Sequence, residues 1–181
     1  MRIRTLVAAL LTVAALPLLA GGPTAASPVA GGERVIHNDA NGDAAGSVDI
    51  ARVTTSVFGR TDNRLRFKVA FARVQRSGDQ TSIYFDLNRR NAGPELRLAG
   101  AVDSEYWLAR VDGWNDQGRD VRCEYTRMYQ ERNGWVMTAE IDLDCLGSPR
   151  RVRFETRTTA ARDGSTDWLD RARTFTTYET R

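Results

Sequence analysis

Residues 64–71 read Arg-Leu-Arg-Phe-Lys-Val-Ala-Phe, and the alternation in this stretch decides the fold class. Every second residue is large and apolar, and charged or small residues stand between them. A period of two puts successive side chains on opposite faces of a β-strand, so the stretch predicts a strand with one face in a core. The same period returns in three further stretches: Ile83 to Leu87, Trp135 to Ile141 and Val152 to Thr156.

Weaker strand patterns occupy five more stretches, Val48 to Phe58, Glu95 to Ala99, Tyr106 to Val111, Val121 to Tyr129 and Arg173 to Tyr178. Turn-forming clusters of Gly, Pro, Asn and Asp separate them, and no stretch has a convincing amphipathic-helix period. This pattern predicts an antiparallel, jelly-roll-like β-sandwich of about eight or nine strands. Because about 150 residues suffice for one hydrophobic core, we expect residues 33–181 to form a single domain.

The first 30 residues have the composition of a secretory signal peptide. Two arginines precede an apolar run from Leu6 to Leu19, and small residues and prolines follow. Pro17 interrupts the run, which is shorter than the about 20 residues that a membrane-spanning helix needs. We expect a signal peptide at residues 1–26, with an alternative end at residue 30, and a secreted chain without a membrane anchor after cleavage.

The charge balance argues against two classes of partner. The chain has 26 basic and 23 acidic residues, but residues 1–30 contain two of the basic residues and no acidic one. The mature chain therefore has 24 basic and 23 acidic residues. It lacks the net field that attracts nucleic acid or an anionic membrane, so we expect neither partner.

Cys123 and Cys145 are the only cysteines. Thiols oxidise in exported proteins, so we expect a disulfide between them, with a two-cysteine metal site as the alternative.

The hairpin at residues 133–134, Asn-Gly, allows two registers. A two-residue turn sets an apolar face against polar partners. We therefore favour a three-residue loop at 132–134, in which facing residues share a side of the sheet. That register pairs Met137 with Tyr129, Ile141 with Tyr125 and Leu143 with Cys123, and puts both cysteines on one face.

Residues 38–43 read Asn-Asp-Ala-Asn-Gly-Asp, and Asp49 follows six residues later. Alternate Asp and Asn residues around a glycine turn can aim hard oxygen ligands at a calcium ion, as the opening of an EF-hand loop does. The rest of that pattern fails, because Ile50 stands at the twelfth position and no helices flank the loop. Two hypotheses stay open: a polar turn in which Asx side chains bond their own backbone, or a structural calcium site formed by Asp39, Asn41, Asp43 and Asp49.

The sequence offers few catalytic groups. His37 is the only histidine, which excludes a zinc site of two or three histidines within one chain, and no Gly-x-Ser-x-Gly elbow is present. We therefore expect no catalysis by a nucleophile and histidine. A carboxylate pair for glycoside hydrolysis is the alternative, with candidates at Asp142, Asp144, Asp163, Asp167 and Asp170.

Four tryptophans are many for this length: Trp107, Trp114, Trp135 and Trp168. Alternation predicts that Trp135 belongs to the core, whereas Trp114 and Trp168 lie in loop sequences. Loop tryptophans stack on sugar rings or partner proteins, or they cap the ends of a sandwich. Trp114 and Trp168 are therefore the candidate binding residues.

Five short motifs span nearly the whole mature chain: Asp39 with Gly42-Asp43, Asp49-Ile50 with Val53, Gly93-Pro94-Glu95, Cys123 with Cys145-Leu146-Gly147, and Asp167-Trp168. Together they resemble a group of uncharacterised secreted β-sandwich proteins of high-GC bacteria. The strand pattern is also distantly similar to family 9 carbohydrate-binding modules and DOMON domains. These resemblances imply a secreted sandwich and assign no activity.

We expect a secreted, non-catalytic extracellular module that binds a glycan, another envelope component or a protein. An extracellular hydrolase with a carboxylate pair and a purely structural secreted protein are the alternatives. An enzyme needs a concave pocket with converging carboxylates, whereas a binding module presents an aromatic face.

Overall fold

A computed structural model describes residues 34–40, 42–44, 46–58, 63–131 and 133–179. These residues form two antiparallel sheets packed as a sandwich, which confirms the predicted fold class. The predicted signal peptide, Asn41 and Arg132 lie outside the described residues. No helix in the described ranges is long and apolar enough to cross a membrane.

The first sheet contains five strands, β1 (Val35–Asn38), β2 (Ile50–Phe58), β3 (Arg64–Phe71), β8 (Thr126–Gln130) and β9 (Val136–Asp142). Their spatial order is β1, β2, β3, β9, β8. Two short 3-10 helices flank strands of this sheet, Gly46–Val48 before β2 and Leu143–Leu146 after β9.

The second sheet contains seven strands, β4 (Gln80–Asp86), β5 (Leu96–Ala101), β6 (Tyr106–Arg110), β7 (Arg119–Asp120), β10 (Arg151–Thr159), β11 (Thr166–Trp168) and β12 (Thr176–Glu179). The spatial order is β11, β10, β4, β5, β6, β7, and β12 also pairs with β10. The described residues thus contain twelve strands and not eight or nine. The extra strands, β1, β7 and β11, have only two to four residues, too few to show an alternation in the sequence.

The core lies between the two sheets. Burial in β3 alternates as predicted, and its four large apolar side chains are buried. The ring of Phe67 lies 5.8 Å from that of Phe85 and 4.9 Å from that of Phe154, both on the facing sheet. Burying each aromatic ring contributes about 2 kcal/mol. The apolar side chains at alternate positions therefore stabilise the packing of the two sheets.

The predicted register of the hairpin between β8 and β9 is wrong. At the turn, Glu131 N–H donates to the Val136 carbonyl and Gly134 N–H donates to the Glu131 carbonyl. Pairing is shifted by one residue from the prediction and follows the register of the rejected two-residue turn, with Thr126 opposite Ile141, Met128 opposite Ala139 and Gln130 opposite Met137.

The shift has a physical reason in the two tyrosines that the prediction placed in the core. On the outer face the Tyr125 hydroxyl donates to Glu140 at 2.7 Å, and the guanidinium carbon of Arg64 lies 3.6 Å from the Tyr125 ring centroid. The guanidinium of Arg127 lies 4.5 Å from the Tyr129 ring centroid. These polar partners stabilise both tyrosines on the outer face of the sheet, and Met128 is buried in the core instead.

Trp135 is 44% exposed in the hairpin loop, so its predicted place in the core is wrong. The disulfide between Cys123 and Cys145 is present, with the Cα atoms 5.8 Å apart. Regular pairing ends at Asp142, and Cys145 lies in the 3-10 helix that follows. The helix brings Cys145 to Cys123 even though the register that suggested the bond is not the one adopted.

Candidate functional site

A row of five side chains crosses the outer face of the seven-stranded sheet. The row follows from the register of β11, β10, β4, β5 and β6, and its members are Trp168, Arg157, Ser82, Ala99 and Trp107 in that order. Their neighbours in the chain, such as Ile83 and Leu98, point into the core. The two middle residues are short, so the sheet is depressed between Arg157 on one side and Trp107 on the other.

The adjacent row on this face has three large side chains, Glu155, Tyr84 and Arg97, and ends at the small Ala109. The loop of residues 111–118 lies over it. Arg97 Nη2 donates to the Gln117 carbonyl at 2.9 Å, and Trp114 packs 5.2 Å from Tyr84 between ring centroids. The loop thereby closes one end of the depression.

Trp114 and Trp168, predicted as binding residues from separate loops, lie side by side. Their ring centroids are 5.5 Å apart with an edge-to-face geometry, and Trp114 also stacks on Phe175 at 4.8 Å. Trp168 lies within β11, at the edge of the sheet, and not in a loop. The pair forms a small aromatic cluster on the outer face.

The depression is a pocket of about 460 Å³ open to solvent. Two indoles, two guanidinium groups and three amides line it: Trp107, Trp114, Arg97, Arg157, Gln80, Asn115 and Gln117. Indole faces offer flat apolar surface, and the other groups offer hydrogen bonds. This composition suits a ligand with both apolar faces and many polar edges.

Both arginines of the pocket keep an unused donor. Within the described part of the chain, the Nε–H groups of Arg97 and Arg157 are buried and have no hydrogen-bond partner. Arg97 is only 8% exposed. The guanidinium carbon of Arg157 lies 5.4 Å from the ring centroids of both Tyr84 and Trp168, and that of Arg97 lies 5.8 Å from the Trp107 ring centroid.

The carboxylates near these arginines lie outside the pocket lining. Hydrogen bonds from the backbone N–H groups of Asp112 and Gly118, with a smaller contribution from Arg97, lower the pKa of Asp116, which is half-buried. Burial raises the pKa of Glu155 to about 9, so this side chain is uncharged at neutral pH. Neither group contributes a buried negative charge to the pocket.

An acidic cluster lies at a different place, where the end of β1 meets β11. Asp39, Asp43 and Asp167 bring one carboxylate oxygen each within 4.8 Å of one another. Asp167 accepts hydrogen bonds from the backbone of Ile50 at 2.6 Å and of Trp168 at 2.8 Å. The sequence predicted Asp39 and Asp43 for a metal site, and the fold adds Asp167.

Asp49, also predicted for that site, lies beside the cluster and not within it. Its Oδ2 accepts a hydrogen bond from the backbone of Gly42 at 2.9 Å, and the residue is 4% exposed. Asp49 Oδ1 and Asp39 Oδ2 are buried without a hydrogen-bond partner among the described residues. Two carboxylate oxygens are therefore left without a donor next to the turn, and Asn41 is outside the described residues.

Burial perturbs the acids of the cluster. It raises the pKa of Asp167 to about 6, with further raising by the charges of Asp39 and Asp43 and a lowering by its backbone hydrogen bonds. Burial also raises the pKa of Asp39, where the backbone N–H of Asp170 opposes the shift. Removal from water and mutual repulsion both disfavour the ionised forms, and a bound cation would reverse that preference.

The other predicted acid and base candidates are held in local contacts. Asp142 pairs with Arg64 at 3.4 Å, and Asp144 accepts hydrogen bonds from Asn63 and from the Ser148 hydroxyl. Burial lowers the pKa of His37, whose ring packs edge-on against a core phenylalanine at 5.5 Å. Asp163 accepts from the backbone of Ser165, and Asp170 donates its own backbone N–H to Asp39.

The sequence reasoning missed Arg97, Arg157 and Trp107 as site residues. Each stands at an outward position of a strand, where an arginine or a tryptophan is ordinary. The only signal was the pair of short residues, Ser82 and Ala99, at outward positions of β4 and β5. Without the strand order nothing joined the five positions.

No protein-family model, curated protein or solved structure matches the chain. The resemblance to secreted sandwich proteins therefore stays a prediction. The geometry of the pocket and of the acidic cluster is the basis on which a function can be assigned.

Proposed function

We propose that the protein is a secreted, non-catalytic module that binds a glycan in the pocket on the outer face of its seven-stranded sheet. The observation that carries this proposal is the pocket lining, in which two indoles stand among three amides and two guanidinium groups. Sugar rings have apolar faces that stack on indoles and hydroxyl edges that hydrogen-bond to amides. The apolar run at the start of the sequence and the disulfide support secretion.

The binding role is favoured over hydrolysis by what surrounds the pocket. Among the described residues, the lining includes no carboxylate, histidine or cysteine that would act as acid, base or nucleophile, and Ser82 beneath it is buried. Three carboxylates have raised pKa values: Asp39 and Asp167 lie in the acidic cluster, and Glu155 is buried outside the pocket lining. Hydrolase activity that Asp167→Asn abolishes would support the alternative and contradict the proposal.

Saccharide binding by the purified protein tests the proposal directly. A panel of immobilised glycans should contain at least one ligand. Trp107→Ala should weaken the binding of that glycan at least tenfold, because the pocket loses an indole on which a sugar ring stacks. Trp135→Ala is the matched control, since Trp135 is exposed in a hairpin loop away from the pocket. Failure of the wild-type protein to bind any glycan, or equal losses in the two variants, would contradict the proposal.

We further propose that the acidic cluster holds a structural calcium ion. Carboxylate oxygens are the ligands that calcium prefers, and the cluster offers three carboxylates within 4.8 Å of one another. Support independent of that grouping comes from Asp49, whose buried Oδ1 has no donor among the described residues. The ion would join the segment after β1 to β11, and therefore one sheet to the other.

A further inference from the structure

We infer that the ligand of the outer-face pocket is an acidic saccharide, whose carboxylate or sulfate group binds between Arg97 and Arg157. The inference rests on the proposed glycan-binding function and adds the chemical class of the ligand. It starts from the two guanidinium groups that line one pocket and each leave a buried Nε–H unused.

Leaving these donors unused is unfavourable. A buried donor without an acceptor loses its hydrogen bonds to water and gains none in return, and the loss is larger for a charged group. In the described part of the chain, neither Arg97 nor Arg157 forms an ion pair, whereas Arg64, Arg66 and Arg153 do. The two pocket arginines are thus the pair for which a ligand anion would supply the missing acceptor.

The geometry favours an anion that accepts from a planar fork of donors. Arg97 uses Nη2 to hold the Gln117 carbonyl, which orients its guanidinium and leaves Nε–H free. The guanidinium carbon of Arg157 lies 5.4 Å from the centroids of aromatic rings on β4 and β11. Carboxylate and sulfate oxygens match such fixed forks, and a charged acceptor strengthens each bond.

Nothing charged in the pocket lining would repel an anion. The described lining residues include no acid, and Asp116 points its carboxylate at the backbone of its own loop. Glu155 lies two residues before Arg157 on the same face but is buried and carries no charge at neutral pH. The pocket is therefore positively charged although the mature chain is nearly neutral.

The same pocket also has features that a free inorganic anion would not use. Trp107 and Trp114 supply two indoles, and Gln80, Asn115 and Gln117 supply amides. An anion attached to a pyranose ring engages all three kinds of group at once. A uronate or a sulfated sugar fits this description better than a neutral saccharide or a lone ion.

Equilibrium binding of paired polymers to the purified protein tests the inference. In the fully methyl-esterified form of polygalacturonate a neutral methyl ester replaces each carboxylate on the same backbone, and dextran lacks the sulfate groups of dextran sulfate. We expect an acidic member to bind at least tenfold more tightly than its neutral partner. Preference for the uronate or for the sulfate pair identifies which anion the arginines bind.

Arginine variants separate specific recognition from general attraction. Arg157→Gln should weaken binding of the preferred acidic polymer at least tenfold, and Arg157→Lys should recover little of it because lysine lacks the planar fork. Arg119→Gln removes the same charge from an exposed position on β7 and should change binding less than twofold. Thermal unfolding of each variant verifies that it is folded.

The outcomes distinguish the two proposals. Equal binding of a neutral polymer and its acidic partner overturns the acidic ligand and leaves glycan binding standing. Equal losses in Arg157→Gln and Arg119→Gln overturn the role of the pocket arginines. If none of the four polymers and no glycan of the panel binds, both proposals are wrong.

Discussion

Glu155 is a carboxylic acid in an unusual environment for its type. It is fully buried on the outer face of the seven-stranded sheet, and burial raises its pKa to about 9. The charges of Asp39 and Asp170 raise it further, while the backbone N–H groups of Thr156 and Thr174 oppose the shift. The ionisable groups on the same face are Arg153 and Arg157 of its own strand and Tyr84 and Asp86 of the adjacent β4, and Arg97 on β5 lies beyond Tyr84.

A raised pKa makes stability depend on pH with a definite sign. In the folded protein Glu155 keeps its proton well above pH 4.5, where an unfolded glutamate loses it. Its contribution to the free energy of unfolding is therefore complete below pH 4.5 and is lost as the pH rises towards about 9. The slope approaches about 1.4 kcal/mol per pH unit at most. In chelator, Glu155→Gln should match the wild type at pH 5 and unfold at higher urea at pH 8.5.

The exposed Glu124→Gln is the control for that measurement and should leave the pH dependence of the urea midpoint unchanged. Parallel pH profiles for the wild type and Glu155→Gln would mean that Glu155 is ionised in the folded protein. The uncharged state assigned to it beside the pocket would then be wrong.

At the scale of elements, the loop between β6 and β7 is held down at Gly118. Its φ is +82°, and a Cβ atom there would lie 2.6 Å from the Arg110 carbonyl oxygen and 2.9 Å from Ala109 Cβ. Glycine is therefore required at position 118 for two reasons: the positive φ and the close approach to β6. The approach brings Asn115 and Gln117 to the edge of the pocket.

We expect Gly118→Ala to destabilise the protein more than a positive φ alone explains. Gly147 is the matched control, because its φ is +79° and no atom lies within 4 Å of its added Cβ. Gly147→Ala should cost about 1–2 kcal/mol from backbone strain, and Gly118→Ala about 1–3 kcal/mol more from the forced shift of packed atoms. Equal free energies of unfolding for the two variants would contradict the close approach.

At the scale of the whole molecule, a disulfide and the acidic cluster connect parts of the two sheets outside their core. The disulfide links Cys123, where the chain passes from β7 of one sheet to β8 of the other, to the 3-10 helix after β9. The acidic cluster lies where the segment after β1 meets β11, and Ile50 at the start of β2 already donates across the sheets to Asp167.

Calcium bound at the acidic cluster should stabilise the whole fold. A ligand at about 100 times its dissociation constant adds about 2.7 kcal/mol when it binds only the folded state. We expect calcium to raise the melting temperature and chelator to lower it. Asp43→Asn should lose this dependence, and in chelator it should be at least as stable as the wild type, because one of three repelling carboxylates is gone.

Asp120→Asn, an exposed change on β7, is the control and should keep the calcium response of the wild type. If the melting temperature of the wild-type protein is the same in calcium and in chelator, the cluster binds no calcium and is only a polar turn. A calcium response retained in Asp43→Asn would place the ion elsewhere.

The period of two in residues 64–71 determined the strand and its buried face, because successive residues of a strand must point to opposite sides. The same local rule predicted the sandwich, and two cysteines in a chain predicted to be exported were enough to predict their bond. Asp39 and Asp43 were visible in the sequence because the turn itself holds them close together.

Only the tertiary structure decided which strands are neighbours and in which register. It turned Tyr125 outward, joined Asp167 to acids more than 120 residues away in the chain, and lined up Arg157, Ser82 and Trp107 from three separate strands. Alternation specifies the two faces of each strand but carries no information about its partners. Packing between residues distant in sequence determines which strands pair, and the pocket forms only when those strands are paired.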